Sequence, residues 1–207
     1  MIDRRRFDDI RRQHGTKGGS WAVWANPDTK QKTGIGELSL LDPDRNPDLL
    51  SELHADFVLV ALNLSGEDDG KEKEPFRNFH NPGRHNQDFK LRYATFGTPL
   101  WGSYLTDLFK DTYETSSTKV VSHFTKNPEE LGPHIINLEK ELYDLGAGDS
   151  TMLVALGGAT HRFLLEAYGL TRSIGRIRHY SSYISLEDYR DEVRRAFMPP
   201  SERYSSR

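Results

Sequence analysis

The chain has 207 residues, no cysteine, 35% hydrophobic and 29% charged residues, and a formal net charge of -3. That is enough chain for one domain with a full core. It excludes disulfides, a thiol nucleophile and any cysteine-held zinc or iron–sulfur cluster. It is also not the strongly basic balance of a protein that grips nucleic acid through a broad electrostatic footprint, so any polyanion must be met by a local patch.

Taken in chain order, residues 4–13 predict a short charged helix with Phe7 and Ile10 on one side, and "GTKGGS" (15–20) a flexible break. No apolar stretch follows the basic residues of this opening, so it does not read as a signal peptide, and a cytoplasmic location is the expectation. "SWAVWA" (20–25) alternates as a strand does, and "NPD" turns it. "NPDLLSELHA" (46–55) carries an asparagine cap and a proline at the first helical position. "DFVLVALN" (56–63) is a continuous apolar run suited to the centre of a parallel sheet covered on both faces.

Residues 66–92 are polar and irregular, and a structureless stretch of that length in a domain is usually functional or mobile. "TPLWGSYLTDLFKD" (98–111) predicts a helix running into a strand. "NPEELGPHIINLEKELYDLG" (127–146) predicts a helix capped by Asn127, with Pro128 first and acidic residues in the first turn. "TMLVALG" (151–157) predicts a buried strand and "ATHRFLLEAYG" a helix after it. "RIRHYSSYIS" (176–185) predicts a last strand and loop. "LEDYRDEVRRAF" (186–197) predicts an amphipathic helix with Leu186, Tyr189, Val193 and Phe197 inward, before a disordered tail at 199–207.

Strands alternating with helices predict one domain over 1–198: an α/β/α sandwich with a mostly parallel central sheet. In such sheets ligands bind beyond the carboxyl ends of the strands. Asn63, residues 107–110, Gly157 and His179 all fall at that edge. An asparagine there is by itself an ordinary turn former. His80 and His85 have no acidic partner at ligand spacing, so no metal site and no cofactor is expected. Neither a phosphate loop nor a dinucleotide fingerprint is present.

The order of these pieces over residues 55–195 resembles the uracil-DNA glycosylase superfamily. The mismatch-specific branch ends a strand in G-I-N-P-G, where this chain has Ala61-Leu62-Asn63-Leu64-Ser65, and then has P-F and a histidine, here Pro75-Phe76 and His80. The Y-I-T-N-V-V-K segment of the iron–sulfur branch is matched by Tyr104-Leu105-Thr106-Asp107-Leu108-Phe109-Lys110. "VALGGAT" resembles a later strand end, and His179-Tyr180-Ser181-Ser182 the H-P-S-P motif. Leu64, Tyr180 and Ser182 stand where prolines are usual.

The resemblance implies a monofunctional DNA glycosylase that flips a nucleotide out of DNA and leaves an abasic site. It implies that Asn63 orients the attacking water and His179 donates to the base O2 as charge builds there. Phe76 then stacks on the base, with Phe79 competing for that role. Ser181 and Ser182 bind phosphates, joined by Arg176, Arg178 and Lys110. Asp107 stands where that branch has asparagine; an ionised carboxylate only accepts, which suits the exocyclic amine of cytosine rather than uracil O4. The alternative for Asp107 is a cap or an ion pair with Lys110. A hypermodified cytosine is therefore the expected base, its added group met by the 66–92 loop, as in superfamily members that act against phages with glucosylated hydroxymethylcytosine. The alternatives are a uracil/thymine mismatch repair enzyme, and a member that binds nucleic acid without cutting it.

Overall fold

A computed structural model describes residues 2–64 and 74–202. Its centre is a five-stranded sheet of order β1-β3-β2-β4-β5, from Ser20–Trp21 (β1), His54–Asn63 (β2), Ser103–Phe109 (β3), Met152–Leu156 (β4) and Ile174–Ile177 (β5). β1 is an antiparallel edge on β3; the other neighbours are parallel. The helices are Arg4–Gln13 (α1), Leu49–Glu52 (α2), Asp88–Thr95 (α3), Ser117–Lys126 (α4), Leu131–Leu145 (α5), Gly158–Tyr168 (α6) and Leu186–Phe197 (α7).

The apolar run of β2 is explained by its two faces. Val58, Val60 and Leu62 join a core with Phe7 and Ile10 of α1, Phe124 of α4, Leu138 and Leu142 of α5 and Phe163 of α6. Leu59 and Ala61 join a second core with Leu91 of α3 and Tyr189 and Val193 of α7. Alternate residues of a strand point to opposite faces, so a strand covered on both sides reads as continuously greasy. This is the expected α/β/α arrangement. From β2 the chain passes first to β3 on one side; it then crosses to β4 and β5 on the other. The reversal of strand order lies between β2 and β4, where α/β sheets open a crevice.

Several local expectations differ. The 15–20 segment is packed rather than flexible: a Cβ on Gly19 would sit 2.1 Å from the Tyr104 hydroxyl oxygen, so glycine is what lets this turn lie on the sheet. β1 keeps only Ser20–Trp21 of the expected strand. The 46–55 helix shrinks to α2, because His54 already pairs with Gly102 and Asn46 spends its amide on the Leu40 carbonyl. The helix expected at the start of 98–111 is absent; 98–102 are turns leading into β3. α4 occupies a stretch for which the sequence reading predicts no element, and α5 begins after a short 3-10 turn at Pro128–Glu130. β5 comes earlier than expected, which leaves His179 in a loop. α7 lies where predicted, with Ser185 as its cap.

α3 is the largest departure. It starts inside the stretch read as structureless and is buried on most sides. Arg92, which reads as surface, is fully buried; its guanidinium donates to the carbonyls of Ala25, Thr29, Gln31 and Thr33 and so ties down that loop. Residues 65–73, which take in Ser65 of the Asn63 motif and the start of the polar loop, and 203–207 of the tail lie outside the described residues.

Candidate active-site cleft

The carboxyl ends of β2, β3 and β4 and the loop after β5 enclose a cleft of about 890 Å³. Asn63, Asp107, Phe79, His179, Ser181, Ser182 and Arg178 all line it. Asn63 and His179, far apart in the chain, thus meet across one crevice.

Asn63 is the last residue of β2, and its side-chain amide is fixed by its partners. Nδ2 donates to the carbonyls of Leu64 (2.9 Å), Thr112 (3.1 Å) and Glu114 (2.8 Å). Only the nitrogen end of a carboxamide can donate to carbonyls, so the flip is decided and Oδ1 remains as the acceptor. A half-buried acceptor held this rigidly can orient a water.

His179 is fixed in an equally definite state. The Ser181 N–H donates to Nδ1 at 3.2 Å, and the Ser181 hydroxyl lies 2.7 Å from the same atom. An Nδ1 that accepts leaves the proton on Nε2. Burial pushes the imidazole down to about 4, so at neutral pH it is an uncharged Nε2–H donor. The Tyr180 ring stacks on it at 4.3 Å and 25°. Gly157, at φ +104 and facing the His179 Cβ, opens the β4 side. Ser181 therefore serves the imidazole rather than standing clear for a phosphate; Ser182 lines the cleft with its N–H on the His179 carbonyl.

Asp107 lies on the floor of the cleft, 2% exposed. Asn78, which the sequence reading did not single out, donates from Nδ2 to Asp107 Oδ2 at 2.7 Å and to the Gly18 carbonyl at 2.9 Å. Burial pushes the Asp107 carboxyl up to about 7; the Asn78 hydrogen bond and Lys110 pull the other way. The group is thus not simply the ionised acceptor that the sequence reading takes it to be. Near neutrality both protonation states are populated.

Three expected site residues, Phe76, Lys110 and Arg176, are placed elsewhere. Phe76 does not line the cleft: it is 1% exposed and packs on Phe7 with ring centroids 5.4 Å apart. Phe76 and Phe79 both take a left-handed backbone, φ +66 and +65, which bulky residues rarely adopt. This twist sends Phe76 into one core and Phe79 into the other, and presents Asn78 to Asp107 between them. Replacing Phe76 by Ala should accordingly cost stability, roughly 3–5 kcal/mol in a denaturant melt, rather than base binding; a stable variant with weakened binding would return Phe76 to the site.

Lys110 also does not face the cleft. Its ammonium lies 2.5 Å from the Glu141 carboxylate and 3.0 Å from the Asp107 carbonyl, in a buried network with Tyr104 and Thr106. It is an internal counter-ion, not a phosphate ligand, and its partner is Glu141 rather than the Asp107 side chain. Arg176 borders a smaller hollow of about 380 Å³ with Gly158, Ile177, Arg178 and Glu192, and Arg178 is paired with Glu192 at 3.0 Å. Only Arg178 of the two reaches the main cleft.

His80 is buried against Trp24 with both ring nitrogens on protein partners, Ser20, Asn78 and Val23. Among the described residues no group of three His, Asp or Glu side chains could hold a metal ion. No helix among them is long and apolar enough to cross a membrane. No family model matches the chain, and neither a curated protein nor a solved structure matches it.

Proposed function

We propose that this protein is a monofunctional DNA N-glycosylase, which flips one nucleotide into the cleft and hydrolyses its glycosidic bond to leave an abasic site. One observation carries the reading: a fixed amide acceptor, Asn63 Oδ1, and a neutral Nε2–H donor, His179, line the same cleft. Hydrolysis of a nucleoside passes through a cation-like sugar and an anionic leaving base. It needs a water placed at the sugar carbon and a donor at the base oxygen. Asn63 supplies the first and His179 the second. Neither abstracts a proton in advance, so the rate rests on stabilising the leaving base. No lysine of the described residues lines the cleft, which suits a mechanism without a Schiff base.

The base is proposed to be a cytosine that carries a bulky polar substituent, as in modified phage DNA, with anti-phage defence as the role. Ionised Asp107 accepts from the exocyclic amine. The cleft exceeds a single planar base, and its far wall carries Asn81, His85, Asn86 and Gln87, side chains suited to hydroxyl groups. Phe79, which also lines the cleft, is the aromatic placed to contact the base. Tyr183, fully exposed next to Ser182, is available to stack on flanking bases. A second reading, excision of uracil or thymine from mismatches, draws on the protonated form of Asp107, which donates to a base carbonyl.

The test is direct. Genomic DNA from several sources, including phages with altered cytosines, is incubated with the protein and released bases are identified by mass spectrometry. We expect a modified cytosine and matching alkali-labile sites. Release of uracil alone would favour the second reading. Retention of labelled DNA with no abasic site in any substrate would reduce the function to binding.

A further inference from the structure

His179 lies beyond the end of β5, in a loop with no strand partner, yet its ring is held in one orientation. Beyond the Ser181 contacts on the ring itself, the ties on this loop come from α3. Asp88, the first residue of that helix, is 6% exposed. Its carboxyl accepts the Asn81 N–H at 2.8 Å, and the Tyr180 hydroxyl beside it favours the carboxylate. The Tyr180 ring is the surface on which the His179 imidazole lies, and Phe79 meets its other edge at 6.5 Å. Lys90, two residues on, reaches across to the same loop: its ammonium donates to the carbonyls of Ser182 (3.3 Å) and Ile184 (3.0 Å). A tyrosine whose ring is packed between His179 and Phe79 and whose hydroxyl sits beside a buried carboxyl has little rotational freedom left. An ammonium on two backbone carbonyls fixes the chain directly after it.

We propose that α3 is the clamp that sets the position of His179, with Asp88 and Lys90 as its positioning residues. The inference takes the catalytic role of His179 from the proposed function. Its core, that α3 holds the loop and ring of His179, does not depend on that role. The use of charged groups for this is telling. Among the described residues no cation lies within ion-pair distance of Asp88, and burial pushes its carboxyl up to about 6, a cost that a neutral residue at the start of a helix would not carry. Lys90 does not line the cleft, so its own side chain is not a substrate contact. A donor displaced by about 1 Å from a developing oxyanion can lose up to roughly 100-fold in rate, so a loop held by a few contacts needs such a clamp.

The full chain is compared with Lys90→Met, which keeps the aliphatic stem, Lys90→Arg, which restores a cation, and Tyr180→Phe, which keeps the ring but frees it from Asp88. Ring-nitrogen NMR of His179 reads its tautomer and titration midpoint without any substrate. In Lys90→Met and Tyr180→Phe we expect the midpoint to rise from near 4 toward 6.5 as the ring gains water, and base release to fall roughly tenfold or more at little change in KM. Lys90→Arg should recover most of both. An unmoved His179 midpoint and tautomer in both variants, with circular dichroism showing them folded, would overturn the proposal. If the wild type releases no base, the NMR comparison still decides whether α3 holds His179, and the glycosylase reading alone falls.

Discussion

Replacing His179 by Ala should lower base release by about 10²–10³-fold, the usual cost of removing one donor from a developing oxyanion. KM should change little, because the interaction strengthens only as the base leaves. The thermal midpoint should stay near that of the wild type, since the ring lies in the cleft wall and its partners, Ser181 and Tyr180, keep other contacts. Single-turnover kinetics and a melt on the same preparation check both halves. A loss of stability matching the loss of rate would make His179 a structural residue instead.

The imidazole's neutrality gives a second handle. Its midpoint of about 4 lies well below the ordinary 6.5, so it remains an Nε2–H donor throughout pH 6–8. Any change in rate over that range must come from another group. Asn63→Ala should give a loss comparable in sign, through the water rather than the leaving base. Because the two act in one transition state, the double variant should lose less than the product of the two single losses.

The larger change in selectivity is expected at Asp107. In Asp107→Asn, the new amide oxygen takes over the Asn78 hydrogen bond, which only an acceptor can do, and the amide nitrogen becomes a donor on the cleft side. Cytosine-type substrates lose their acceptor; uracil-type substrates gain a donor for O4. We expect preference to move toward uracil by roughly 10- to 200-fold, the scale of 1–3 kcal/mol for a base-edge contact. Unchanged preference would remove Asp107 from base reading.

The same residue governs pH dependence. In the folded protein its carboxyl titrates at about 7. Release of a cytosine-type base should therefore rise from pH 6 to 8 as the acceptor form fills. The sign for stability is opposite. A carboxyl whose folded pKa is raised above its unfolded value keeps its proton when folded and sheds it when unfolded, so folding is penalised as pH rises toward 7 and the penalty is then constant. Between the ordinary 3.8 and about 7, at ~1.36 kcal/mol per pH unit, that penalty is on the order of 4 kcal/mol. Asp107→Asn should thus be more stable than the wild type at pH 8, with the advantage shrinking toward pH 4. Denaturant melts at the two pH values measure it. Such a cost, borne at a cleft floor, is what a functional carboxyl looks like energetically.

How far the residues alone reached can be argued element by element. The apolar run of β2, the "MLVAL" of β4, and the period of α1 and α7 are local patterns, and local patterns specify a sheet covered on both faces. The carboxyl-edge rule then puts Asn63 and His179 on one side of the sheet. α3 escaped because its burial on most sides erases the amphipathic period, and because Arg92 and Asp88 read as solvent-facing while their partners are backbone groups distant in sequence. Phe76 and Phe79 could not be told apart by spacing. Two left-handed residues decide which core each enters, and nothing in an F-R-N-F stretch announces them.

The sequence by itself determined the layered fold and the edge at which chemistry is possible, because hydrophobic period and strand order are encoded locally. Only the tertiary structure decided which charges act. Lys110 turns inward to Glu141, burial raises the Asp107 carboxyl toward neutrality, and His179 is held to one tautomer by a backbone N–H. Burial and hydrogen-bond partners set the ionisation of a group, and both belong to its neighbours in space.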